Sequence, residues 1–249
     1  MRQTLALTIT FITVYPSKIK NMRSCLSFFA CLLVCSGLSF GQADYAPQDG
    51  DLLFQDLDCG PYCTSIEKVT EGVGGADFSH MGIVFIKNGE PLVYEAVSKG
   101  VVATPLHDFL QRNTDASGRP KVMAGRLKQA YLALVPDALV HAEDLLGSAY
   151  DEVYIDGDDA YYCSELIYEI FKRASPDQKI FSLAPMTYID PDTGETFPIW
   201  ETYFAERNTE VPEGVPGINP GLMSRSPYLD IVYRFYQPEP GKLQEKSPG

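Results

Sequence analysis

Two apolar runs joined by an Asn-Gly pair, Phe78-Ser79-His80-Met81-Gly82-Ile83-Val84-Phe85-Ile86 and Leu92 to Val97, constrain the fold more tightly than any other segment of this chain. Asn-Gly between such runs signals a hairpin, because the turn that matches strand twist needs positive φ at both central residues. A turn at Asn88-Gly89 sets Lys87 opposite Glu90, Gly82 opposite Glu95 and His80 opposite Val97, and a four-residue loop gives the same register. Strand side chains alternate, so residues 80, 82, 95 and 97 share one face. His80 and Glu95 then become diagonal neighbours, about 7 to 8 Å apart, with Gly82 leaving the space between them open. A bulge that moved the register by one would turn Glu95 away. Glu95 lies among Val93, Tyr94, Ala96 and Val97, a costly place for a carboxylate without a partner. It reads as the group that orients His80, with a structural salt bridge or an edge-exposed charge as the alternatives.

A second feature lies downstream. Cys163 follows the loop Asp156-Gly157-Asp158-Asp159 and opens a segment with apolar residues at Leu166, Ile167, Ile170, Phe171 and Ala174, a helical face that Ser175-Pro176 ends. A thiol in a helix's first turn sits near the positive end of the macrodipole and beside unpaired backbone N–H groups. Both favour thiolate, and the same N–H groups can receive an oxyanion. The competing reading is a small buried hydrophobe at a helix start. The chain has two further histidines. His107, in a short helix, and His141, in a helix begun by Pro136 and ended by Gly147, read as surface residues with nothing converging on them.

The first 41 residues carry a different signal. From Met22 the chain reads Met22-Arg23, an apolar stretch from Leu26 to Leu38, then Ser39-Phe40-Gly41, which is the pattern of a cleavable secretory signal. The stretch falls short of the roughly 18 apolar residues of a membrane span. No stable span is expected after cleavage, which would follow Gly41 or Ala43. Residues 1–21 add a second apolar patch, which points to Met22 as the true start. A lipoprotein reading through Cys35 is weak, since Val34 stands where a small residue belongs. Residues 42–249 then read as a single catalytic domain, with a Pro-, Gly- and aromatic-rich extension from about 181 that either walls a cleft or caps the core. Removing residues 1–41 takes away four basic residues and no acidic one, moving the formal charge from −13 to −17. Such a chain is no nucleic-acid binder, because that affinity rests on Lys and Arg displacing counterions from phosphates.

Three of the six cysteines go with the signal, leaving Cys59, Cys63 and Cys163. Cys59 and Cys63 are close enough to pair if the Gly60-Pro61 turn folds them together, and Cys163 is then the odd, free thiol of an exported protein. The histidines fall in separate elements and no other cysteines lie close, so no metal and no cofactor is expected.

Five stretches together resemble a known family: Gly50-Asp51-Leu52-Leu53-Phe54-Gln55, Phe78-Ser79-His80-Met81-Gly82-Ile83-Val84, Tyr94-Glu95-Ala96, Leu146-Gly147-Ser148-Ala149-Tyr150-Asp151 and Tyr161-Tyr162-Cys163-Ser164-Glu165-Leu166. Their order, with the cysteine helix after the His strand, is similar to the circularly permuted papain-like amidases, the YaeF/YiiX-like branch of the NlpC-type superfamily. The resemblance implies an α+β fold with an antiparallel sheet packed against the cysteine helix, and a triad of Cys163, His80 and Glu95. The tail segment Gly217-Ile218-Asn219-Pro220-Gly221 also looks like that branch. The implied chemistry is exported cysteine amidase or peptidase activity through a thioester. Murein-derived peptides are the favoured substrate, and a lipid-directed acyltransferase or thioesterase with the same Cys–His pair is the alternative. Glu165 and the Tyr150-Asp151-Glu152 run either shape the site or serve as caps and solvated groups.

Overall fold

The computed structural model describes residues 44–155, 157 and 159–237; the signal segment 1–41 with Met22, the lipoprotein candidate Cys35 and Asp156 and Asp158 of the loop before Cys163 lie outside them. The elements run β1 (Leu52–Gln55), α1 (Pro61–Val69), β2 (His80–Lys87), β3 (Glu90–Val97), β4 (Gly100–Pro105), α2 (Leu106–Gln111), β5 (Val122–Leu127), α3 (Val135–Asp144), α4 (Cys163–Ala174), β6 (Ala184–Pro185), α5 (Pro198–Glu206), β7 (Pro216–Gly217), α6 (Pro220–Ser224) and β8 (Leu229–Arg234). Six strands form one sheet in the order β4-β3-β2-β1-β5-β8, antiparallel at every pairing, and β6 pairs with β7. This is the α+β architecture with an antiparallel sheet that the family resemblance implies.

The hairpin register follows from the turn. Asn88 and Gly89 both take positive φ, 55° and 83°, as a primed two-residue turn requires. Lys87 pairs with Glu90 and the ladder runs to Ile83 opposite Tyr94, which sets Gly82 across from Glu95 as expected. Alternation then sorts the apolar residues into two cores. Leu52, Phe54, Met81, Ile83, Tyr94 and Ala96 join Leu166, Ile167 and Ile170 of α4 in the larger one. Leu53, Val84 and Val93 meet Leu106 and Phe109 of α2 in the smaller. The α4 helix packs on β2 and β3, and α3 packs on α4. Burying both faces of β1 to β3 explains why these strands are nearly continuous apolar runs.

Two local features differ from their sequence reading. Gly60-Pro61 is not a bare turn: Pro61 begins α1, where its fixed φ and missing N–H suit the first helical position. The segment from 181 does more than cap or wall the domain, since its end supplies β8 to the main sheet beside β5. Asp51 of the Gly50-Asp51 stretch is structural: it is fully buried, accepts from Arg126 Nε at 2.6 Å and Nη2 at 2.9 Å, and accepts from Tyr45 Oη at 2.8 Å.

Gly82 is fixed by space. A Cβ there would lie 2.5 Å from Val93 Cγ1, 2.9 Å from the Tyr94 carbonyl oxygen and 3.2 Å from Glu95 Cβ. Gly82→Ala is therefore expected to destabilise the protein by about 2 kcal/mol, the typical cost of overpacking. Thermal unfolding checks this, and an unchanged Tm would contradict the register.

Candidate active site

Three elements bring the chemistry together. His80 is the first residue of β2, Glu95 the sixth of β3, and Cys163 the first of α4. His80 Nε2 lies 2.5 Å from Glu95 Oε2, far closer than the backbone diagonal, because the two side chains lean toward each other. Nε2 is thus committed to the carboxylate, which leaves Nδ1 as the ring nitrogen available to Cys163, whose thiol lines the same cleft. His80 is 6% exposed, Glu95 0% and Cys163 8%. Burial disfavours the imidazolium, but the partners Cys163 and Glu95 outweigh it and lift the His80 pKa to about 9. Burial likewise opposes the Glu95 carboxylate, yet Arg112 and then His80 bring its pKa down to about 2.

Sequence reasoning missed the residues behind Glu95. Arg112, just past α2, donates from Nη1 to Oε2 at 2.8 Å and from Nη2 to Oε1 at 2.5 Å, while Thr104 Oγ1 donates to Oε1 at 2.6 Å. The α2 segment is itself tied to the sheet, since Gln55 Nε2 donates to the Phe109 carbonyl at 2.9 Å. Arg112 sits in a polar stretch that reads as surface loop. Only the need of a buried carboxylate for a cation pointed toward such a partner.

The α4 N-terminus is built to present the thiol. Tyr162 N–H donates to Glu165 Oε2, so Glu165 is a buried cap. The Ile218 N–H donates to Tyr162 Oη at 3.1 Å and Ser164 Oγ donates to the Ile218 carbonyl at 3.0 Å, which straps the tail segment onto the helix start. Asp151 is also a cap: its carboxylate accepts from the N–H groups of Val153, Tyr154 and Ile155. Cys59 and Cys63 form a disulfide with Cα atoms 5.1 Å apart, and Cys163 is a free, buried thiol. His107 is exposed on α2 and His141 half-buried on α3, each in a helix as expected.

A cleft of about 800 Å³ opens over Cys163 and His80. Tyr62 and Tyr150 flank the thiol, and burial followed by neighbouring charge holds both hydroxyls protonated well above the ordinary tyrosine range. Tyr62 and Tyr154 share a hydroxyl hydrogen bond, and Tyr62 packs on Trp200 of α5 with ring centres 4.8 Å apart. Met186, Tyr188, Trp200 and Tyr203 of the region beyond 181 line the cleft, while Trp200 and Phe204 are also buried in the core. That region both walls the cleft and packs the interior.

A buried thiol, an imidazole and a carboxylate at the junction of a helix start and an antiparallel sheet, with the helix last in chain order, define a papain-like centre of permuted connectivity. A sequence model described as the permuted papain-like amidase enzymes, YaeF/YiiX, C92 family, matches residues 46–233, and the chain belongs to that family. The curated uncharacterized protein YiiX of Escherichia coli strain K12 is 30% identical over 133 residues, which are 52% of this chain and 60% of that protein. The match thus spans less than two thirds of the relative's length. A crystal structure described as metalloprotein yiiX from Escherichia coli O157:H7 shares the fold, with a TM-score of 0.64 at 22% identity over 78% of this chain and all of that one.

The paired charges predict a stability window. Glu95 has a folded pKa below its ordinary 4.5, so its contribution is present above 4.5 and lost as pH falls through 2. His80 has a folded pKa above its ordinary 6.5, so its contribution is complete below 6.5 and lost as pH rises through 9. Stability from these groups should peak between pH 4.5 and 6.5, and Glu95→Gln should abolish the acid limb and shrink the alkaline one, whose larger cause is Cys163, as urea unfolding across pH will show. Thiol labelling of the unreduced, denatured protein lacking residues 1–41 should modify Cys163 alone; three labelled cysteines would contradict the disulfide.

Proposed function

We propose that this protein is an exported cysteine amide hydrolase that works through a thioester on Cys163. The observation that carries the reading is the His80–Glu95 hydrogen bond in a cleft that Cys163, His80 and Glu95 line together. Cys163 thiolate, with its proton on His80 Nδ1, attacks the amide carbonyl carbon and forms the C–S bond. The oxyanion lies against backbone N–H groups at the start of α4, which have no acceptor inside the helix. His80 then gives its proton to the nitrogen as the C–N bond breaks, and the amine leaves. Water attacks the thioester, passes its proton to His80, and releases the acid with the thiol restored. Glu95 holds the imidazole through Nε2 and steadies the imidazolium in both halves.

Export rests on the signal pattern of residues 22–41, and the Cys59–Cys63 disulfide suits an oxidising compartment. The yiiX structure is described as a metalloprotein. Among the described residues of this chain no group of three or more His, Cys, Asp or Glu side chains converges to hold a metal ion, so the mechanism routes no step through one.

Murein-derived peptides are the substrate that the family and the export signal favour together. A second reading has its own support. The cleft wall beside the thiol is aromatic and aliphatic, formed by Ile66, Val69, Tyr154, Met186, Trp200 and Tyr203, which suits an acyl chain next to the scissile carbonyl and so favours a lipid-directed acyl hydrolase or transferase. Incubation with defined muropeptides and with N-acyl amine lipids, read by product mass, separates the two. Either product should fall by at least about 1000-fold with Cys163→Ala, while the thermal unfolding of the variant should match the wild type. Retained turnover in that variant would overturn the assignment of the nucleophile.

A further inference from the structure

We propose that Arg112 is a positioning residue of this site: its guanidinium fork fixes Glu95 and offsets the carboxylate's charge, so that His80 is held in one orientation and can release its proton to the leaving amine. The proposal rests on the amide-hydrolase reading and extends it to a group that touches neither thiol nor substrate.

The geometry is that of a closed account. Each Glu95 oxygen has two partners: Oε2 meets His80 Nε2 and Arg112 Nη1, and Oε1 meets Thr104 Oγ1 and Arg112 Nη2. A carboxylate so occupied cannot rotate, and the imidazole hydrogen-bonded to it inherits the constraint. Arg112 is itself held, with its guanidinium 5.1 Å from the centre of the Phe109 ring, and the same ring lies 5.9 Å from the His80 ring. An exposed Arg–Glu pair is a weak interaction, but here the carboxylate is fully buried and bidentate, where charge pairing is strong.

Charge bookkeeping gives the functional consequence. With thiolate and imidazolium formed, Cys163 and Glu95 carry two negative charges and His80 one positive, and Arg112 brings the set to neutrality. Without Arg112, Glu95 would retain its full pull on the imidazolium proton and His80 would make a poorer acid toward the amine. The other groups around the pair do not replace it. His80 faces neutral Gln55 across β1 and neutral Phe109 on α2, and Glu95 faces the uncharged Thr104 on β4. Tyr62 and Tyr150 stay protonated beside the thiol. At the cleft rim Glu152 and Arg207 pair at 3.3 Å, Lys99 is exposed, and His107 and Asp108 of α2 are exposed.

The chain has three histidines, so imidazole NMR on isotope-labelled protein resolves His80 without any substrate. Arg112→Gln, which keeps hydrogen-bond donors and removes the charge, should raise the pH at which His80 titrates by about one unit. Arg112→Lys, which keeps the charge, should titrate like the wild type. An unmoved His80 in R112Q, or the same displacement in both variants, overturns the proposal. If R112Q fails to fold, Arg112→Met takes its place as the charge-removing variant: a rise of about one unit supports the proposal and an unmoved His80 refutes it. Failure of every amide substrate would overturn the proposed function and leave this result standing.

Discussion

The site depends on one buried negative charge. Glu95 is fully withdrawn from water in the middle of a sheet, where an unpaired carboxylate would cost several kcal/mol. The structure meets that cost from two sides, with His80 on one oxygen and the Arg112 fork and Thr104 completing the set. Each partner comes from a different element, so forming the pair fixes β2, β3, β4 and the end of α2 relative to one another. Gly82 suits this strand because a Cβ there would strike Val93 Cγ1 and the Tyr94 carbonyl oxygen and crowd the Glu95 Cβ.

The thiol reaches this centre from the other core. Leu166, Ile167 and Ile170 seat α4 with Met81, Ile83 and Ala96, and the helix begins where β2 begins. The Ile218 strap and the Glu165 cap hold that helix start in place. Circular permutation leaves this geometry intact, since what matters is that the helix start and the strand start coincide, not which is synthesised first. The aromatic wall of Tyr62, Tyr154, Trp200 and Tyr203 then sets the surroundings in which the chemistry proceeds.

Much of this was legible from the sequence wherever a local rule operates. The Asn88-Gly89 turn and period-two alternation placed His80 and Glu95 on one face, and the apolar spacing after Cys163 marked α4 from its first residue to Ser175. The Cys59–Cys63 pairing was open in the sequence, conditional on a Gly60-Pro61 turn, and the disulfide instead forms across the first turn of the helix begun by Pro61. Arg112 and Thr104 were not legible, because their roles arise only when α2 folds over the sheet and nothing periodic marks them. The strand β8 was hidden in a segment whose Pro, Gly and aromatic content reads as loop, and it becomes a strand by pairing with β5.

The central claim is that His80 activates Cys163 as a nucleophile. Its most direct test is the rate of adduct formation with a small chloromethyl-ketone amide, followed by intact mass in the wild type and in His80→Ala. The account predicts one adduct, on Cys163, forming at least about 100-fold more slowly without the imidazole. Equal rates in the two proteins, or an adduct elsewhere in the chain, would contradict it.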